Sequence, residues 1–130
     1  MPRNRRHSLL HGDFYPANVA WSSGAVSAVL DWDAVRVGPP EFDVAYCRLH
    51  LELVHGGDAA EQFVAFYEVA TRSLVDLDFW DLCVACIAVG RHPFWLELYA
   101  WGGVAVEWSQ VRSRLEQFVE RAQLAIEHAS

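Results

Sequence analysis

LLHGDFYPANV, residues 9–19, sets a histidine, an aspartate and an asparagine in one short polar island between apolar flanks. A lone His11-Gly12-Asp13 reads most simply as a turn in which Asp13 accepts backbone N–H bonds. The residues around it alter that reading. Asn18 follows Asp13 by five residues and opens a hairpin: NVAW, then Ser22-Ser23-Gly24 as the turn, then AVSAVL returning. The return strand ends abruptly in Asp31-Trp32-Asp33, so three oxygen-bearing side chains, Asp13, Asn18 and Asp31, converge from one loop and two strand ends.

That set suits phosphoryl transfer from a nucleoside triphosphate. One carboxylate orients and deprotonates an acceptor hydroxyl, and two oxygen ligands hold Mg²⁺ on the phosphates. Mg²⁺ takes hard oxygen ligands, usually few of them from protein, and completes its octahedron with water and phosphate.

The run HGDFYPANV and, after it, VLDWDAVRVGPPEFDVAY resembles the catalytic segment of the aminoglycoside phosphotransferase and choline kinase-like small-molecule kinases, distant relatives of protein kinases. The resemblance is dense from Leu9 to Tyr46 and loose over the helical remainder. It implies that Asp13 is the catalytic base, that Asn18 and Asp31 are Mg²⁺ ligands, and that His11 supports the loop. Asp43 would brace that loop by accepting its backbone N–H groups. Asp33 reads equally as a solvated turn residue or a functional one. The implied activity moves the γ-phosphoryl group of ATP or GTP to a hydroxyl of a small molecule such as an aminoglycoside, with Mg²⁺ as cofactor.

Beyond the Gly38-Pro39-Pro40 breaker the apolar period changes from two to about 3.6, and helices are expected. Phe42, Ala45, Tyr46, Leu49 and Leu53 mark the first. Asp58 and Glu61 have the form of a capping box for a second, striped by Phe63, Phe66, Tyr67, Ala70 and Leu74. Asp78 caps a third, which carries Leu82 to Gly90 and breaks or kinks near Pro93. The last has the cleanest stripe: Val104, Trp108, Val111, Leu115, Phe118, Ala122 and Ala125. The fold class is therefore α+β, a single domain over residues 1–130. A hairpin sheet carries the catalytic and metal loops in residues 1–40 and packs on about four helices in 41–130. By the resemblance, this corresponds to most of a kinase-like C-terminal lobe, with the N-terminal lobe absent.

Composition narrows the partners. Six Trp, seven Phe and four Tyr within a 53% hydrophobic chain call for a folded core. A formal charge of −7 disfavours nucleic acid and anionic membranes and hints at a cationic acceptor. Glu97 and Glu107 are acidic side chains that could meet one. No apolar run approaches the roughly 20 residues that span a bilayer, and MPRNRR lacks the apolar stretch of an export signal, so the cytoplasm is expected. Cys47, Cys83 and Cys86 are an odd set without a second CxxC, which favours buried structural thiols over a disulfide or zinc site. His50, His55 and His92 stand at no ligand spacing. Trp95, Tyr99, Trp101 and Trp108 read as core before pocket wall, and the charges of residues 112–121 as a solvated helix face.

All ten basic residues are arginines. A kinase of this type also needs a Gly-rich hairpin and a strand lysine on the phosphates, and no lysine is available here. Three readings follow. The chain is the C-terminal lobe of a small-molecule phosphotransferase, inactive or nearly so in isolation; or it is a non-catalytic half-kinase that forms a homo-oligomer through the surface the missing lobe leaves bare; or it is a Mg²⁺-dependent phosphohydrolase using Asp13, Asn18, Asp31 and Asp33.

Overall fold

The computed structural model describes residues 7–71, 73–101 and 103–129. The MPRNRR segment and the side chains of His92, Pro93 and Trp101 lie outside the described residues. Four short strands, β1 (Ser8–Leu10), β2 (Val19–Ser22), β3 (Ala25–Val29) and β4 (Arg36–Gly38), precede four helices, α1 (Glu41–His55), α2 (Gly57–Ala70), α3 (Leu77–Trp101) and α4 (Trp108–His128).

The strands form two separate antiparallel pairs. β2 and β3 make the expected hairpin, Val19 opposite Val29. Its turn places Ser23 (φ 52°) and Gly24 (φ 79°) in the left-handed region, the hand that matches strand twist. β1 pairs with β4, Leu9 opposite Val37. A single 3-10 turn, Pro16–Asn18, leads from the polar island into β2. Pro16 opens it at no cost, because its missing N–H would have had no helical partner there.

Helix α1 is the hub. Ala45, Tyr46, Leu49 and Leu53 are buried against Val84, Ala85 and Ala88 of α3 and Val111, Leu115 and Phe118 of α4, with Trp95 and Tyr99 closing the same core. So complete is this enclosure that polar residues of α1 are buried too, and each surrounding helix supplies a partner. Arg48 bonds Asp81 of α3 and, at 2.5 Å, Glu61 of α2. Glu52 pairs with Arg121 of α4. His50 Nδ1 meets the Tyr99 hydroxyl of α3. At the far end Arg114 of α4 donates to the Leu53 and Val54 carbonyls at 2.9 and 2.8 Å, satisfying acceptors that a helix C-terminus leaves unpaired. Stripping one partner from a buried ion pair costs about 3–5 kcal/mol, because the remaining charge stays in low dielectric.

Several expectations need correction. α3 runs unbroken through position 93 to Trp101; a proline forfeits one rung of the ladder, and burial of Trp95 and Tyr99 beyond it holds the helix on the core. No capping box forms. α2 starts at Gly57 with Gly56 as N-cap and no side-chain cap, and Glu61 is drawn to Arg48 instead. The α2 stripe is Ala60, Phe63, Val64 and Tyr67, at steps of three, one and three, while Phe66 and Ala70 face solvent and Leu74 lies past the helix end. Val104 precedes α4 and still packs on the core; Trp108 is exposed. Of the cysteines only Cys47 is buried. Cys83 is half-buried and Cys86 exposed, because the inward face of α3 is set by Asp81, Val84, Ala85 and Ala88. Arg112 pairs with Glu116 on the solvated face of α4, whereas Arg114 and Arg121 turn inward. Among the described residues no helix is long and apolar enough to cross a membrane.

His50 is 1% exposed, and burial lowers its imidazole from the ordinary 6.5 to about 3. Between those values the unfolded chain binds a proton that the folded chain refuses. Its contribution is therefore intact above pH 6.5 and is lost on acidification, at up to about 1.4 kcal/mol per pH unit. Urea denaturation of wild type and His50→Gln between pH 6.5 and 4 should show a smaller acid-side loss in the variant. Equal slopes would mean that His50 titrates normally in the folded protein.

Candidate functional site

The polar island is held from behind by α1. Asp43, in the first turn of that helix, accepts the backbone N–H of His11 at 2.7 Å and of Gly12 at 2.9 Å, one on each carboxylate oxygen. Tyr46, one turn on, lies beside Asp13; burial first, and the neighbouring Asp13 carboxylate second, push its hydroxyl up. His50, one further turn on, lies against the Tyr15 ring at 4.5 Å between centroids. Positions 43, 46 and 50 fall on one helical face, so a single stripe of α1 contacts the loop at residues 11–12, 13 and 15.

His11 is buried and fastens the loop to the return strand. Its Nδ1 accepts the Asp13 N–H at 3.3 Å, and its Nε2 lies 2.7 Å from the Leu30 carbonyl. With Nδ1 accepting, the proton sits on Nε2 and is donated to Leu30. Leu30 is gripped from the other side as well, since its N–H donates to the Asn18 carbonyl at 2.8 Å. Asp31 thus begins where the chain is already pinned to both His11 and Asn18.

Asp31 adopts φ 59°, a left-handed conformation uncommon outside glycine that aspartate tolerates better than most residues. Gly12 has φ +85°, and a Cβ there would run into the Ala34 carbonyl and lie 2.8 Å from Arg36 Nη1. Only glycine lets the island approach the segment after Asp33 so closely.

Asn18 is buried. Its amide nitrogen donates to the Asp13 carbonyl at 2.8 Å and reaches an Asp13 carboxylate oxygen at 3.3 Å, which leaves the amide oxygen to face other ligands. Two clefts flank the site. Asn18 and Asp31 border one of about 570 Å³, floored by Tyr15, His50 and Tyr99. Asp13, Asp31 and Asp33 border the other, of about 420 Å³, together with Arg36 and Arg91. Asp31 is common to both. The Asp13 and Asp31 carboxylates are close enough that, after burial, they also push the Tyr15 hydroxyl up.

Asp13, Asn18 and Asp31 are therefore gathered at one place, with His11 and Asp43 behind them and Asp33 exposed on the rim of the second cleft. The amide oxygen of Asn18 and the exposed carboxylate of Asp31 are hard donors of the kind Mg²⁺ takes. Among the described residues no group of three or more His, Cys, Asp or Glu is placed to hold a metal ion. Glu97 and Glu107 are exposed and border neither cleft. Tyr46, Arg36 and Arg91 belong to the site and escape a sequence reading. Tyr46 carries one signal, its position three residues after Asp43 on a helix; the arginines carry none.

Comparison with known proteins bears on this geometry. The family model for the phosphotransferase enzyme family matches residues 1–83. Acyl-CoA dehydrogenase family member 10 of Mus musculus is 43% identical over 51 residues, taking in 38% of this chain and 5% of that protein. The crystal structure of a thermostable mutant of aminoglycoside phosphotransferase APH(4)-Ia in its apo form shares the fold, with TM-score 0.53 and 21% identity over 88% of this chain and 37% of that one. A ternary complex of that phosphotransferase with AMP-PNP and hygromycin B gives TM-score 0.53 and 22% identity, over 90% of this chain and 37% of that one. The chain spans little more than a third of the length of those structures.

Replacing Asp43 by Ala removes the acceptor of two backbone N–H groups at once, at about 1–3 kcal/mol for each one left unsatisfied. Hydrogen exchange of the His11 and Gly12 amides should accelerate sharply in Asp43→Ala and less in Asp43→Asn, with the α4 amides protected as before. Unchanged exchange at those two amides would show that the loop holds itself.

Proposed function

The chain belongs to the phosphotransferase enzyme family, and on that premise we propose that these residues supply the acceptor-activating and metal-holding part of a small-molecule kinase. The observation that carries this reading is the gathering of Asp13, Asn18 and Asp31 between two clefts, one bordered by the base and one by Asn18, with Asp31 shared. The donor is ATP or GTP and the acceptor a hydroxyl of a small molecule. The AMP-PNP in the APH(4)-Ia complex supports nucleotide use by the family.

In this reading Asp13 receives the proton of the acceptor hydroxyl as that oxygen bonds to the γ-phosphorus. The bond from phosphorus to the β,γ-bridging oxygen breaks, and the nucleoside diphosphate leaves with the electron pair. Asn18 steadies the Asp13 carboxylate, with Tyr46 beside it, so that a lone pair meets the hydroxyl instead of rotating among solvent contacts. Asn18 and Asp31 would hold Mg²⁺, which supplies charge neutralisation on the phosphates when bound. His11 and Asp43 set the loop and touch no reacting atom. Without a lysine among its 130 residues, the chain alone is expected to turn over slowly or not at all.

Calorimetry of ATP with Mg²⁺ tests the reading. Binding should weaken in Asp31→Ala by at least the roughly tenfold that loss of even an outer-shell partner costs a metal site, and should survive in Asp13→Asn, whose side chain serves the acceptor. Absence of nucleotide binding in the wild-type chain would remove the nucleotide site from these residues.

A second reading, a non-catalytic module that self-associates, is favoured by one observation. Leu9, Trp21 and Val37 on the strands are 68, 66 and 71% exposed, and Phe66 and Val69 on α2 are 73 and 89% exposed. Such apolar area invites a partner. Sedimentation velocity at micromolar concentration should then show a dimer or larger species; a clean monomer overturns the module reading.

A further inference from the structure

The cleft that holds Asp13 is not uniformly acidic. Arg36, at the start of β4, and Arg91, on α3, both border it. These two differ from the other described arginines. Arg48, Arg112 and Arg121 are each in an ion pair, and Arg114 is spent on two helix carbonyls. Arg36 and Arg91 make no ion pair among the described residues, although three carboxylates border the same cleft.

Arg36 is nevertheless held in place. Its guanidinium lies 4.4 Å over the Phe42 ring and Nη1 is 3.4 Å from the Ala34 carbonyl, which leaves the other N–H groups of the fork open. The charge of Arg91 reaches the Tyr46 hydroxyl, where it partly opposes the upward push of burial. Phe42 and Ile87 add apolar surface to the same lining.

We propose that this cleft takes a hydroxycarboxylate: an aliphatic acceptor whose hydroxyl meets Asp13 and whose carboxylate is bound by Arg36 and Arg91. The proposal rests on the phosphotransferase reading, in which Asp13 faces the hydroxyl and Asp31 the metal. Two guanidiniums against Asp33 then remain for the rest of the acceptor, an excess of one positive charge. That balance matches a monoanionic carboxylate and rejects the polycation to which the net charge of −7 points. Arginine suits the task because its planar fork bonds both carboxylate oxygens at once. The volume of about 420 Å³ accommodates a small molecule with an aliphatic middle.

Three six-carbon probes that differ only in the far group decide the matter: 6-hydroxyhexanoate, 1,6-hexanediol and 6-aminohexan-1-ol, titrated into the isotope-labelled full chain with Mg²⁺ and followed by NMR. The expected order is hydroxyhexanoate tightest, by about tenfold over the amino alcohol, the scale of one charged hydrogen bond. That preference should collapse in Arg91→Met and persist in part in Arg91→Lys. An amino alcohol that binds as tightly as the hydroxy acid, or failure of all three to bind, overturns the proposal, and the wild-type comparison needs no variant to fold. Hydroxyhexanoate binding that is abolished by ATP, with Arg91→Met weakening ATP alone, also overturns it, by assigning the arginines to the nucleotide. Loss of ATP binding in the wild type with retention of the hydroxy-acid preference would instead fell the kinase reading and leave the anion site standing.

Discussion

The pair of hydrogen bonds from His11 and Gly12 to the Asp43 carboxylate is the constraint on which the site depends. It joins the first turn of α1 to the loop that carries Asp13, and so couples a helix buried on all sides to a segment that has little core of its own. The strands around the loop are three to five residues long and form only paired ribbons, which are marginal in water unless packed on something larger. Held by Asp43, Tyr46 and His50, the loop takes its rigidity from the helix beneath it. Precision at Asp13 is thereby derived from burial at Leu49 and Leu53.

That dependence explains which parts of the protein can be read from its sequence. Local patterns were legible: the hairpin with its Ser-Gly turn, the period change after Gly38-Pro39-Pro40, and the α1 and α4 stripes are all set by residues within a few positions of one another. Strand β4 was not, because Arg-Val-Gly has no alternation to speak of and pairs with Ser8–Leu10 far back in the chain. The extra turns of α3 were hidden by a proline whose local penalty is outweighed by aromatic burial contributed from elsewhere.

At the site, the island and the Asp31-Trp32-Asp33 end could be picked out because their side chains are chemically conspicuous and closely spaced. Tyr46 looks like any core aromatic until its hydroxyl is seen beside Asp13, and Arg91 like any surface charge until α3 is docked. Both reach the cleft of Asp13 by position, and position here is a tertiary property. The same holds for Cys86, whose exposure follows from the way α3 is rotated and not from its apolar neighbours.

The clamps on α1 carry a consequence for how this protein can be cut and varied. Arg48, Glu52 and His50 find their partners on three different helices, so removal of α3 or α4 strands a polar group that α1 has already taken out of water. A piece ending ahead of Trp108 would leave Glu52 without Arg121 and the Leu53 and Val54 carbonyls without Arg114. No residue of α4 borders either cleft, yet it cannot be treated as a dispensable appendage: the helical part is a cooperative unit, and tolerance to trimming should be sought at the loop tips instead.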